Sequence, residues 1–204
     1  MAILNMNAHA YRKYISESAK PVLMEFSAPW CGYCRRLEPA LELTAQQYEG
    51  EIIFGQINID DEPALAEAEQ IELVPTLLLY QSGQLLGSIV APESRAQLEA
   101  FIEESLGRRN GEQAEEKHIY DMLVIGGGPG GYTAALYAAR AGLDTIVLEK
   151  LSAGGQMALT EQIDNYPGFE NGIDGFSLGE KMRKGTERFG VETRLVEVLS
   201  LDLS

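Results

Sequence analysis

The chain has 204 residues, 45% hydrophobic and 23% charged, which leaves room for one large domain or two small ones. Its only two cysteines, Cys31 and Cys34, exclude a disulfide-stapled secreted scaffold. A net charge of −15 repels polyanions and argues against a nucleic-acid partner. The acidic excess is shared between residues 1–110 and 111–204, but glycine is not: 6 of the 21 glycines fall in the first 110 residues and 15 in the last 94.

In chain order, no run approaches the ~18 apolar residues of a membrane span, and the N-terminal residues lack a signal-peptide core. The expectation is a soluble cytoplasmic protein without membrane contact. Apolar runs at Val22 to Phe26 and Ile52 to Ile57 read as strands, with helix-period segments at about Cys31 to Tyr48 and Glu62 to Gln70. Thr76 to Tyr80 and Leu85 to Val90 flank a Ser82-Gly83 turn signal, so they predict an antiparallel hairpin. A helix at about Glu93 to Leu106 carries Leu98, Phe101, Ile102 and Leu106 on one face. The result is an α/β domain with a mixed sheet over residues 1–107. Residues 108–118 are polar and glycine-containing, as a linker requires. The pattern then restarts as one βαβ unit: a strand at Ile119 to Ile125, a glycine-rich turn, a helix at about Gly130 to Ala141 and a strand at Thr145 to Glu149. A loop-rich stretch to Phe176, a helix at about Leu178 to Phe189 and an alternating apolar segment from Val191 to Leu203 complete residues 119–204.

Cys31-Gly32-Tyr33-Cys34 follows a predicted buried strand and opens a helix. There the helix dipole and unpaired N–H groups favour a thiolate at Cys31, and Cys34 stands one turn on, at disulfide distance. The chemistry expected is attack by Cys31 on a substrate disulfide, then resolution of the mixed disulfide by Cys34. Zinc lacks a second ligand pair, because His9 and His118 are not spaced as one, and Arg35 stands where haem attachment needs histidine. No metal is expected. Glu25, between Met24 and Phe26 in an apolar run, should have a raised pKa and could accept the proton that Cys34 must lose. Pro39 should bend the helix it interrupts.

Val22 to Cys34 (VLMEFSAPWCGYC), Asn58-Ile59-Asp60 and Val74 to Tyr80 (VPTLLLY) resemble thioredoxin in order and spacing over residues 1–107. The resemblance implies that Pro75 is a cis-proline beside the dithiol, that Trp30 and the Val74 backbone meet a bound peptide, and that Glu25 takes the place of the family's buried acid. Departures are Tyr33 for the usual proline, Glu25 for aspartate and Gln56 for lysine. Potentials in this class run from about −270 to −120 mV. A reducing role is the default for a cytoplasmic dithiol.

Gly126 to Gly131 (GGGPGG) lies between a strand and a helix, with Glu149 closing the next strand. In this context the loop reads as dinucleotide-binding: Gly126 makes the turn, Gly128 admits a pyrophosphate, Gly131 permits helix–strand packing, and Glu149 can accept from a ribose diol. Gly126, Gly128, Pro129, Gly131 and Glu149 are the candidate cofactor residues. The spacing does not separate FAD from NAD. Ile125 to Gly142, Gly154 to Met157 and Asp164 to Phe169 are similar to the N-terminal part of bacterial thioredoxin reductase. That resemblance implies FAD, with Gly155, Gln156 and Asn165 near the flavin or its ribityl chain.

Such reductases also carry a second C-x-x-C, a second glycine-rich loop for NADPH and a returning C-terminal segment. None stands in these 204 residues, so the expectation is a thioredoxin fold followed by a partial Rossmann-like FAD-binding module with exposed sheet edges. The leading function is thioredoxin fused to thioredoxin reductase, passing electrons from NADPH through FAD to the dithiol and on to disulfide-containing proteins. The alternatives are a flavoprotein donor to a peroxidase, like the alkyl-hydroperoxide reductase flavoprotein, and a scaffold that docks peptides beside Pro75. Reductases of this type imply a homodimer.

Overall fold

The computed structural model describes residues 3–108 and 118–202. The chain divides into two compact units, Met1–Gly111 and Glu112–Ser204. The predicted linker, but for its two end residues, lies outside the described residues.

The first unit runs β1 (Leu4–Asn5), α1 (Ala8–Glu17), β2 (Val22–Ser27), α2 (Gly32–Gln47), β3 (Ile53–Asn58), α3 (Pro63–Ala68), β4 (Thr76–Gln81), β5 (Gln84–Val90) and α4 (Arg95–Ser105). Its sheet has the order β1-β3-β2-β4-β5, with β1, β3 and β2 parallel and β4 and β5 antiparallel. The mixed sheet therefore forms as the hydrophobic pattern predicts. Central strand β2 is buried at all six positions, which is why it reads as a near-continuous apolar run. Alternation along it sends Val22, Met24 and Phe26 into one cluster with Tyr11, Leu65, Leu78 and Tyr80. Leu23, Glu25 and Ser27 consequently face the other side of the sheet. In the hairpin, Ser82 (φ 51°) and Gly83 (φ 81°) are both left-handed, the two-residue turn whose twist matches the flanking strands.

Two elements were not expected. Helix α1 has one fully buried position, Tyr11, and is started by Asn7, whose side chain accepts from Ala10 N at 2.9 Å. Strand β1 is only two residues long. Helix α3 is shorter than its pattern, ending before Gln70, which turns left-handed at φ 55°.

The second unit contains β6 (Met122–Ile125), α5 (Pro129–Arg140), β7 (Thr145–Glu149), a 3₁₀ turn (Gly155–Leu159), α6 (Gly175–Glu187) and β8 (Glu192–Leu195). The strands form an all-parallel sheet ordered β6-β7-β8. Val124, Tyr132, Ala135, Val147, Ala153 and Val191 make its core. On outer strand β6, Leu123 and Ile125 are more than half exposed. Pairing starts three residues later than the apolar run, and Ile119 is 92% exposed. Helix α6 begins earlier than predicted, because Asp174 caps it through Ser177 N at 3.0 Å. Among the described residues of the alternating tail, the strand is Glu192–Leu195, and Leu199 and Leu201 are exposed.

Candidate functional site

Each unit presents chemistry at the N-terminus of a helix that follows a strand. In the first, Cys31 is the N-cap of α2: its Sγ accepts a hydrogen bond from Cys34 N at 3.0 Å. Cys31 and Cys34 are joined as a disulfide with Cα atoms 5.3 Å apart. A sulfur in this position meets the orphan N–H groups and the positive end of the helix, which stabilise a thiolate once the bond is reduced. Both cysteines are nearly buried, whereas Trp30 and Tyr33 are mostly exposed beside them. Trp30 is held by a hydrogen bond from Nε1 to Asp60 at 3.1 Å. The Val74–Pro75 peptide is cis, as the resemblance implies, and Val74 O lies 3.5 Å from Cys31 Sγ. Ala28, Cys31 and Cys34 cluster with Ile59 and Val74, an apolar wall that keeps water from the sulfurs.

Glu25 is 1% exposed, not at a solvated strand edge. Burial pushes its carboxyl up to about 7, against a hydrogen bond from Gln56 that pulls it down, and with a further push from Glu38. Glu38 itself is raised by partial burial and by Glu42. Glu38 belongs to α2. Glu38 follows Cys34 by one helical turn.

In the second unit the glycine-rich loop has a position-by-position geometry. Gly126 turns at φ 98°. A Cβ on Gly131 would lie 2.0 Å from Gly126 O, so nothing larger than glycine fits. A Cβ on Gly128 would meet open space. Gly128 is the N-cap of α5 with no side chain capping it, and Pro129 occupies the first turn, leaving the remaining N–H groups of that turn available to an anion. Gly154 N donates to Gly127 O at 2.7 Å, and Gly155 sits beside Gly128. The structure thus brings Gly126, Gly128, Pro129, Gly131 and Gly155 together. Glu149 joins them differently from expectation. It is 5% exposed, and its oxygens accept from Gly127 N (2.6 Å), Lys150 N (2.9 Å) and Leu151 N (3.3 Å). Oε1 accepts two of these bonds and Oε2 one, so a single lone pair, on Oε2, is left of the carboxylate's four. Gln156 is exposed on the 3₁₀ turn, and Asn165 lines an open depression formed by Asp164 to Glu170.

Three supporting features escape the sequence reading. Gly175 and Gly179, four apart on α6, let that helix press against Met157 O and Ala153 O, so the loop bearing Gly154 and Gly155 rests on helix backbone. Two glycines at helical spacing were the available signal. Ala91, left-handed at φ 45°, donates its N–H to Pro75 O at 2.8 Å and braces the cis-proline turn. Asp60 fixes Trp30, and no local pattern announces a partner thirty residues away.

A disulfide capping a helix beside a cis-proline on a mixed five-stranded sheet defines a thiol–disulfide redox protein. The thioredoxin family model matches residues 2–104, and the chain belongs to the thioredoxin family. Residues 120–202 match the pyridine nucleotide-disulphide oxidoreductase model, so the thioredoxin part is followed by a reductase-like, flavoprotein-type region. The bifunctional thioredoxin reductase/thioredoxin of Mycobacterium leprae is 52% identical over 85 residues, covering 42% of this chain and 19% of that protein. The thioredoxin reductase of Listeria monocytogenes is 51% identical over 79 residues, 39% of this chain and 24% of that protein. The match thus spans about a fifth to a quarter of the length of these curated relatives. Oxidised mitochondrial thioredoxin 3 from Saccharomyces cerevisiae is 29% identical, covers 50% of this chain and 94% of its own, and gives a TM-score of 0.46. Among the described residues no helix is long and apolar enough to cross a membrane.

Proposed function

We propose that the chain reduces disulfides in other proteins through Cys31 and Cys34, as a thioredoxin joined to a thioredoxin-reductase-type flavoprotein. The observation that carries this reading is Cys31 Sγ at the α2 N-cap, bonded to Cys34 and set beside the cis-proline backbone. In the reduced protein the Cys31 thiolate attacks a substrate sulfur, and the substrate S–S bond breaks as its other sulfur leaves with the electron pair. Cys34 then loses its proton to Glu25 and attacks Cys31. The Cys31–substrate bond breaks, the second substrate thiol departs, and the internal disulfide seen here is formed. Trp30, Val74 and Pro75 would line the peptide site, with the Val74 carbonyl turned to the sulfur.

The second unit fits the pyrophosphate of a dinucleotide: the helix end is bare, and Gly128 leaves the space a Cβ would fill. Gly126, Gly128, Pro129 and Gly131 would hold the FAD phosphates, Glu149 its ribose, and Gly155, Gln156 and Asn165 the flavin side. When bound, FAD supplies the two-electron link between NADPH and a dithiol. The units then act in one electron path, with residues 1–107 as the thiol carrier and residues 119–204 contributing to the flavin site.

Reduction of a protein disulfide by the 204-residue chain, with dithiothreitol as electron donor, tests the proposal. Cys31→Ser is expected to abolish turnover, and Cys34→Ser to accumulate a mixed disulfide on Cys31, visible in the intact mass. Unaltered peptide binding with no thiol exchange in the unsubstituted protein would identify a docking scaffold instead.

A further inference from the structure

Glu25 and Gln56 are register partners on parallel strands β2 and β3, so their side chains stand next to each other on one sheet face. Gln56 Nε2 donates to Glu25 Oε2 at 2.9 Å. The other oxygen, Oε1, is sealed from solvent and has no hydrogen-bond partner. A buried carboxyl oxygen without a partner is costly in either protonation state, and such orphans mark groups that exchange protons or ligands. The two oxygens are also chemically distinct. Oε2 is engaged as the acceptor of the amide N–H, and the unpartnered Oε1 is the oxygen open to a proton.

We propose that Gln56 is the positioning residue of the dithiol's proton acceptor: its amide occupies Oε2 of Glu25 and leaves Oε1 as the oxygen that takes and returns the proton. This rests on the reading of Glu25 as that acceptor. In the resolving step the Cys34 S–H bond breaks, the proton passes to Oε1, and the electron pair left on Cys34 forms the bond to Cys31 while the substrate sulfur leaves with its own pair. When a reductant opens the disulfide, Oε1 returns the proton to Cys34. An uncharged amide makes this device different from an ammonium. It orients the carboxylate without a charge that would hold it ionised, and Glu25 titrates near neutrality. The other groups facing Glu25 reinforce this. A charge on Glu38 of α2 disfavours a second one on Glu25, Glu38 is itself raised by partial burial and by Glu42, and the β4 partner Leu77 is apolar and fully buried.

The test is a carbon-13 NMR titration of the Glu25 carboxyl in the reduced 204-residue chain, alongside the pH profile of single-turnover resolution. Gln56→Met, of similar shape but without the donor, is expected to raise the titration midpoint by roughly 0.5–1 pH unit. Gln56→Lys is expected to lower it by about 1 pH unit or more. The resolution profile should move in the same two directions. A residue with a merely structural role would not shift the midpoint in opposite directions with the two replacements. Midpoints unchanged in both variants overturn the proposal. Gln56 is only half-buried, and the Lys variant keeps its aliphatic stem, so it decides the question alone if Met impairs folding. Resolution that is indifferent to Glu25→Gln, while the midpoints still respond to position 56, overturns the Glu25 reading beneath it and leaves the Gln56–Glu25 coupling measured.

Discussion

The N-terminal ends of α2 and α5 apply one physical device to opposite ends. Each follows a strand of its unit's sheet and offers unpaired N–H groups at the positive end of a helix. On α2 the chain fills the position with its own sulfur, Cys31, which accepts from Cys34 N. On α5 the corresponding residue is Gly128, which has no side chain to offer, and the space a Cβ would occupy is open. The first helix end stabilises a reactive group built into the chain; the second leaves its donors for a guest. Glycine content follows from this difference, since a site made for a guest needs backbone that can approach it.

Exchanging the two solutions should break the comparison, and the largest effect falls on the dithiol. Cys31→Ser keeps a capping atom but removes the nucleophile. Disulfide reduction with dithiothreitol should fall on the order of 10³-fold or more, while the unfolding midpoint of the first unit changes little. Gly131→Ala is expected to cost about 3 kcal/mol or more in the second unit, because its methyl group would overlap Gly126 O. Denaturant unfolding followed through the buried Tyr132 would show it, with dithiol activity retained. Glu25→Gln sharpens the electrostatic side. An acid whose pKa rises on folding stabilises the fold while protonated, and that contribution is lost as pH climbs from its unfolded value near 4.5 through about 7. The variant should match the parent at pH 4 and exceed its stability by about 2–3 kcal/mol at pH 8, measured by urea unfolding. Gly128→Asp supplies the missing cap, worth a few tenths of a kcal/mol to the second unit, and should abolish binding of added FAD, read as quenching of flavin fluorescence. Smallest in its effect on function is Ala91→Gly, which relieves a left-handed alanine for a gain of about 0.5–1 kcal/mol in thermal or urea unfolding.

Legibility followed the strength of local physics. The hairpin could be read because Ser82-Gly83 is a turn in itself, and β2 because a doubly covered strand is apolar throughout except where Glu25 and Ser27 intrude. The dithiol was readable from four consecutive residues and the helix they open. Helix α1 went unread although Ala8, Tyr11, Tyr14 and Ile15 stand at helical spacing and pack against the core, because that stripe is short and made of an alanine and two tyrosines among polar residues. Spacing placed Glu149 at the end of its strand but could not show that its oxygens were engaged by Gly127, Lys150 and Leu151 backbone. Apolar alternation after Val191 overstated the last strand, because alternation describes a face and pairing needs a neighbour. The bond between Gln56 and Glu25 depends on strand register, which no single segment encodes.

The glycine notch on α6 bears on how the second unit acquires its shape. Each glycine inside a helix weakens it by about 1 kcal/mol relative to alanine, so α6 gains its stability from docking against the 153–157 segment, where Gly175 and Gly179 admit the backbone. Helix and loop therefore order together as one cooperative unit. The amide of Gly154, bonded to Gly127 O, is expected to exchange its hydrogen at the rate at which α6 opens, and the glycine-rich turn inherits its persistence from a helix that meets the neighbouring loop backbone to backbone.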